Sequence, residues 1–228
     1  MASLPTPPDR RASVEEVRAV GDRAEGDRAG GDGAGRDRVL ADRPESWPVH
    51  DVERIWNGPA PFSVRRDMIS VPGYPDEQFG RLVLEHPGAV MILALDDEER
   101  ALVIEQYRHP ARMRFAELPA GLLDVENEDP VVAAQRELRE EGLVLAQRWT
   151  HLLTTYSSPG LSSEKISFYL AEGLSPAPDR GGFEPAHEEA DMTVSWVPVD
   201  ALLKGVREGR ITDGPTAQAV LAYVLFRR

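Results

Sequence analysis

The residues with the clearest chemical potential lie between 120 and 143, AGLLDVENEDPVVAAQRELREEGL. Within this stretch Glu137, Glu140 and Glu141 stand at i, i+3 and i+4. On a helix those positions share one face, with neighbouring side chains roughly 5–6 Å apart. Three carboxylates held so closely repel one another at neutral pH unless a cation sits against them. Oxygen-only ligands suit a hard ion such as magnesium, manganese or calcium rather than zinc. Magnesium keeps several waters and usually bridges to substrate phosphates, so the trio points to phosphate chemistry. The competing reading is a solvated charged face whose acids pair with Arg136 and Arg139.

A helix over 129–142 must carry the trio. Asp129 is a plausible N-cap and Pro130 suits the first helical position. Val131, Ala134 and Leu138 form an apolar stripe beside the acids, so the helix can bury one face and present the other. Gly121 opens the preceding loop, and Gly142 is placed to end the helix as a left-handed C-cap.

The stretch resembles the Nudix box, whose pattern is G, five residues, E, seven residues, REUxEExGU, with U bulky and apolar. Glu128, Arg136-Glu137-Leu138 and Glu140-Glu141 fit it. Two positions depart: six residues separate Gly121 from Glu128, and Leu143 stands where the second glycine belongs, with Gly142 one place early. The likeness extends over residues 47–228. Val103–Arg108, Glu117–Gly121, Ser157–Gly160 and His187–Met192 are similar to runs in ADP-ribose pyrophosphatases of the actinobacterial type.

This resemblance implies metal-dependent hydrolysis of ADP-ribose to AMP and ribose 5-phosphate, with another nucleoside diphosphate derivative, or a non-catalytic ADP-ribose sensor, as the alternatives. Glu137, Glu140 and Glu141 are the candidate metal ligands, for Mg2+ or Mn2+. The family adds the carbonyl of Ala120. Glu128 is expected to orient Arg136, and Arg136 to hold the glutamates. Family members carry the general base on a loop after the box, which here makes Glu188 the first candidate and Glu189 the second. Glu164 is a further one, and His187 could tune the site. Arg108, at the end of an expected strand, suits bidentate phosphate recognition; a strand-end salt bridge is its alternative. Arg81 is a weaker candidate. Pro159 and Gly160 are implied to shape the terminal-ribose pocket. Trp56, Phe62 and Phe79 could stack on adenine or could equally be core.

The remaining chain must build a scaffold for these groups. Residues 1–45 repeat a Gly-Asp-Arg theme with almost no bulky apolar residue and read as a disordered tail. Residues 46–86 read as a small antiparallel β subdomain, with strands over 64–71 and 79–86. A two-stranded ribbon is marginal alone. The family likewise implies a homodimer built across this sheet. Residues 87–228 form the expected hydrolase domain. GAVMILAL, 88–95, suits a strand buried on both faces. Further strands are expected at 101–107, 147–156, 165–171 and 192–198, then helices over 201–208, capped by Asp200, and 215–227. Interleaved strands and helices predict an α/β/α sandwich around a mixed sheet.

Composition sets the outer limits. A net charge of −13 in 228 residues offers no basic stripe for nucleic acid. A nucleotide remains compatible, since a metal neutralises its charge locally. The chain has no cysteine, which removes thiolate chemistry and suits a reducing cytoplasm. Arg10-Arg11 is not followed by an apolar segment of the kind a signal requires, and no run approaches a membrane span.

Overall fold

The computed structural model describes residues 40–185 and 190–226. Most of the low-complexity stretch therefore lies outside the described residues, and 40–45 form neither helix nor strand. From Ser46 the chain makes one compact unit. It begins with β1 (Val49–Trp56), β2 (Ser63–Ser70), β3 (Gln78–Glu85), β4 (Ala89–Ala94) and β5 (Arg100–Arg108). Next come β6 (Met113–Glu117), β7 (Ala120–Leu122), α1 (Pro130–Gly142), β8 (Val144–Tyr156) and β9 (Lys165–Pro176). The chain closes with β10 (Thr193–Pro198), α2 (Val199–Arg207) and α3 (Gly214–Phe226).

The strands form three sheets, in the orders β1-β2-β3, β7-β4-β9-β8 and β10-β5-β6. β4 and β9 run parallel, and the other strand pairs antiparallel. The apolar run of β4 is buried on both faces, as its composition requires. Met91, Leu93 and Leu95 pack toward α2 and α3, with Ala101, Val103, Phe168, Leu202, Val220 and Tyr223. Val90, Ile92 and Ala94 face the other way, onto Ala133, Ala134 and Leu138 of α1 and onto Leu102 and Ile104 of β5. The period-2 alternation of one strand thus divides the interior into two cores. The result is the expected α/β/α sandwich around a mixed sheet.

Several local expectations are corrected. The N-terminal sheet has three strands, because β1 joins the pair. Every residue of β1 is exposed, so it lacks the apolar alternation that marks a half-buried strand. β6 and β7 are five and three residues long, too short for a pattern of their own. Asp200 does not cap α2; it lies in the first turn, and the N-cap is Pro198, which makes no side-chain hydrogen bond. Gly142 does not stop α1. The left-handed residue is Leu143, at φ 53°. Gly142 remains helical and lies close to β5: a Cβ there would stand 3.2 Å from Leu102 Cδ1.

Candidate active site

Helix α1 starts as its sequence dictates. The Asp129 side chain accepts a hydrogen bond from Val131 N at 3.0 Å, and Pro130 occupies the first turn. Ala133, Ala134 and Leu138 are fully buried against β4 and β5. That packing fixes the rotation of the helix and turns Glu137, Glu140 and Glu141 toward a cleft of about 1020 Å³. Gln106, Arg108, Glu117, Ala120 and Glu164 line the same cleft.

The carboxylates are held individually. Glu137 lies over Gly121: a Cβ on that glycine would meet the Glu137 carboxyl carbon at 1.9 Å and Oε1 at 2.0 Å. Any side chain at 121 would therefore have to displace the Glu137 carboxylate. Arg136 donates to Glu137 Oε1 at 2.6 Å and to Glu140 Oε2 at 3.4 Å. Glu128 in turn receives both ends of the Arg136 fork, at 3.3 and 3.1 Å. Glu141 Oε2 accepts the backbone N–H of Ala120 at 3.0 Å.

Electrostatics make the cluster costly. Glu137 is 9% exposed. Burial, aided by the neighbouring charges of Glu140 and Asp124 and opposed by Arg136, pushes its carboxyl up to about 7. The Arg136 guanidinium pKa is raised as well, chiefly by its hydrogen bond to Glu128, so Arg136 stays firmly charged. Among the described residues no group of three or more acidic or histidine side chains is arranged to hold a metal ion as it stands. Arg136 draws two of the glutamates to itself, and Glu141 is turned to Ala120. The donor set still fits a hard divalent ion: all the side-chain ligands are carboxylates, the gap above Gly121 admits one of them to the cleft wall, and Arg136 is a single cation shared among Glu128, Glu137 and Glu140.

In the same cleft, Arg108 donates to Glu117 Oε1 from Nε at 3.0 Å and to Oε2 from Nη2 at 2.6 Å. Gln106 Nε2 adds a third donor to the same carboxylate at 3.0 Å. Glu117 is 3% exposed, and its bond to Arg108 raises the guanidinium pKa further. The salt-bridge alternative for Arg108 is thus realised. The side chain nevertheless remains half exposed and lines the cleft.

The other candidates divide. Glu164 lines the cleft, with an oxygen 3.7 Å from His86 Nε2. Glu188, Glu189 and His187 lie outside the described residues. Arg81 is exposed on β3, donates to Gly80 O at 3.0 Å and covers the Phe79 ring at 4.3 Å. Pro159 and Gly160 sit in an exposed turn after β8. None of those three lines the cleft. The turn is stitched to β3 through Leu84 N to Leu161 O at 2.9 Å and Ser163 N to Leu84 O at 3.0 Å. Trp56 stacks on Phe62 at 5.4 Å, and Phe62 on His86 at 6.4 Å. Phe62 and His86 border a second cavity of about 480 Å³, beside Ser63, Arg65 and Glu85.

Sequence reasoning overlooked Glu117, Gln106, His86 and Asp213, all in the cleft wall. One signal was available. Leu102 and Ile104 are buried on one face of β5, so the period of a strand puts Gln106 and Arg108 on that same inward face. Polar residues continuing a buried apolar series mark a site.

A two-faced α/β sandwich that presents carboxylates and a clamped arginine to one cleft defines a hydrolase class that handles phosphate esters and anhydrides through hard ions. The NUDIX domain model matches residues 85–216, and the chain belongs to that family. The ADP-ribose pyrophosphatase of Mycobacterium tuberculosis is 43% identical over 161 residues, covering 71% of this chain and 75% of that protein. The ADP-ribose pyrophosphatase of Bacillus subtilis is 34% identical over 140 residues, covering 61% and 74%. A solved structure described as an ADP compounds hydrolase superposes with a TM-score of 0.66 at 19% identity, over 82% of this chain and 96% of that one; it bears on the fold alone.

Proposed function

We propose that the protein hydrolyses the diphosphate bond of ADP-ribose, giving AMP and ribose 5-phosphate. The observation that carries this reading is the helix trio Glu137, Glu140 and Glu141 lining one cleft together with Arg108, in a chain whose relatives include ADP-ribose pyrophosphatases. A divalent ion bound there, Mg2+ with Mn2+ as the close substitute, neutralises charge on the diphosphate oxygens. The three carboxylates and the Ala120 carbonyl would hold it. Arg136, fixed by Glu128, keeps Glu137 and Glu140 from splaying apart. The half-exposed Arg108 guanidinium binds phosphate, and Glu117 keeps its plane fixed. Glu188, Glu189 or Glu164 takes the proton of the attacking water. Of these, Glu164 is the one within the described residues.

The same reading includes a homodimer. β1 is an edge strand and exposes Val49, Val52, Ile55 and Trp56, a hydrophobic edge that a second copy would cover. Arg81, Pro159 and Gly160 lie on the N-terminal-sheet side of the molecule and would reach substrate only through such a partner. No helix among the described residues is long and apolar enough to cross a membrane. We place the enzyme in the cytoplasm on the absence of cysteine.

The missing box glycine does not favour a non-catalytic sensor, because Leu143 takes the left-handed conformation itself and the three glutamates still face the cleft. The test is product analysis with ADP-ribose in oxygen-18 water, beside GDP-mannose and NADH as competing substrates. AMP and ribose 5-phosphate formed in preference, with label on one product, support the reading. Faster turnover of either competitor replaces it, and tight binding without AMP release in magnesium supports a sensor.

A further inference from the structure

The helix that carries the trio ends under strain. Leu143 stops α1 at φ 53°, a left-handed conformation that is unfavourable for a residue carrying a side chain. Its backbone N–H reaches Arg139 O at 3.2 Å, but the carbonyls of Glu140 and Glu141 lie beyond the last intrahelical donor. Helix ends of this kind fray, and two proposed metal ligands sit on this one.

Both carbonyls receive the guanidinium of Arg180, forty positions on. Nη1 donates to Glu140 O and, at 3.2 Å, to Glu141 O. The adjacent residue completes a crossed clasp. Arg139 of the helix donates to the Asp179 carboxylate and, at 3.2 Å, to Asp179 O. Asp179 Oδ1 also accepts Gly181 N at 2.8 Å. Beyond Arg180 the chain turns tightly, with Phe183 N donating to Arg180 O at 3.1 Å. Gly181 and Gly182 have φ 67° and 89°, the positive values a type I′ turn needs at both central positions. The turn sets Phe183 in the cleft wall. A cation at the C-terminal end of a helix is also favoured by the helix dipole.

We infer that Arg180 is a positioning residue for catalysis: by capping the carbonyls of Glu140 and Glu141 it holds the last turn of α1 against the strained stop at Leu143 and so fixes two metal-binding carboxylates. The inference rests on the proposed metal site for its functional consequence. Its structural half, protection of the helix end by Arg180, stands apart from that site.

The experiment uses the full chain and the variants Arg180→Ala, Arg180→Lys, Leu143→Gly and Arg180→Ala/Leu143→Gly. Mn2+ affinity is read by electron paramagnetic resonance, and amide exchange over 138–145 is followed in metal-free protein. Arg180→Ala is expected to weaken Mn2+ binding about tenfold or more and to speed exchange at the helix end. Substrate KM at saturating metal should stay within twofold. Arg180→Lys recovers part of the affinity, since a point cation still meets the carbonyls. Leu143→Gly in the Arg180→Ala background recovers part as well, because the strain is removed. Mn2+ affinity within twofold of wild type in Arg180→Ala, or no recovery in either rescue, overturns the inference. If Arg180→Ala does not fold, the Lys variant and the double variant decide it by the same readings. A wild-type protein that fails to bind Mn2+ sinks the proposed metal site instead, and exchange then still decides whether Arg180 guards the helix end.

Discussion

Consider replacing Glu137 by glutamine in the metal-free protein. The carboxyl is held at about 7, against an ordinary value of 4.5, chiefly by burial. Each pKa unit is worth about 1.4 kcal/mol, so the ionised carboxylate destabilises the fold by about 3 kcal/mol above pH 7. The opposing pull of Arg136 is already contained in that value. Below pH 4.5 both folded and unfolded chains hold the proton and the penalty is absent. Between 4.5 and about 7 the folded protein keeps a proton that the unfolded chain has released, so stability falls as pH rises. Glutamine cannot ionise and carries no such penalty. Urea unfolding at a series of pH values should therefore show Glu137→Gln and wild type about equally stable near pH 4. At pH 8 the variant should be more stable by about 3 kcal/mol, which for a chain of this size corresponds to about 6–12 °C in melting temperature. Saturating Mg2+ should reverse the order, because only the wild type gains a ligand that binds its folded state. Parallel stability curves for the two proteins from pH 5 to 8, without metal, would refute the account of a buried carboxylate awaiting a cation.

Other substitutions test the remaining parts. Gly121→Ala places a methyl group where the Glu137 carboxyl now lies; Mn2+ affinity and turnover should fall at least tenfold while circular dichroism stays native, and unchanged affinity would remove the steric argument. Arg108→Lys keeps the charge but loses the fork toward Glu117 and phosphate, so KM should rise about tenfold with kcat little altered, and a fall in kcat alone would place Arg108 elsewhere in the reaction. Val52→Glu with Ile55→Glu charges the exposed edge strand; sedimentation should show monomer for the variant against the dimer proposed for the wild type, and a dimer that survives moves the interface away from β1.

Local information made one part of the molecule legible in advance. The apolar run of β4 needed no partner to announce a strand buried twice. Asp129 and Pro130 mark the start of α1 through short-range backbone chemistry, and the spacing of its glutamates puts them on one face whatever the helix packs against. The sheet edges were not legible, because β1 is exposed along its whole length and β6 and β7 are too short to show a period. The stop of α1 was misplaced by one residue for a related reason. A glycine reads as a turn signal, yet Gly142 is there to let the helix approach Leu102, and the strained conformation passes to Leu143.

The sequence by itself determined a carboxylate-bearing helix, its N-cap, and a central strand with two apolar faces, since each depends on residues only a few positions apart. Tertiary structure alone decided what those carboxylates meet. Gly121 yields space to Glu137, Glu117 locks Arg108 from another strand, and Arg180 reaches back forty positions to the end of α1. Such contacts join segments whose separation along the chain carries no periodic signal, so they exist only once the two cores have packed and brought the segments together.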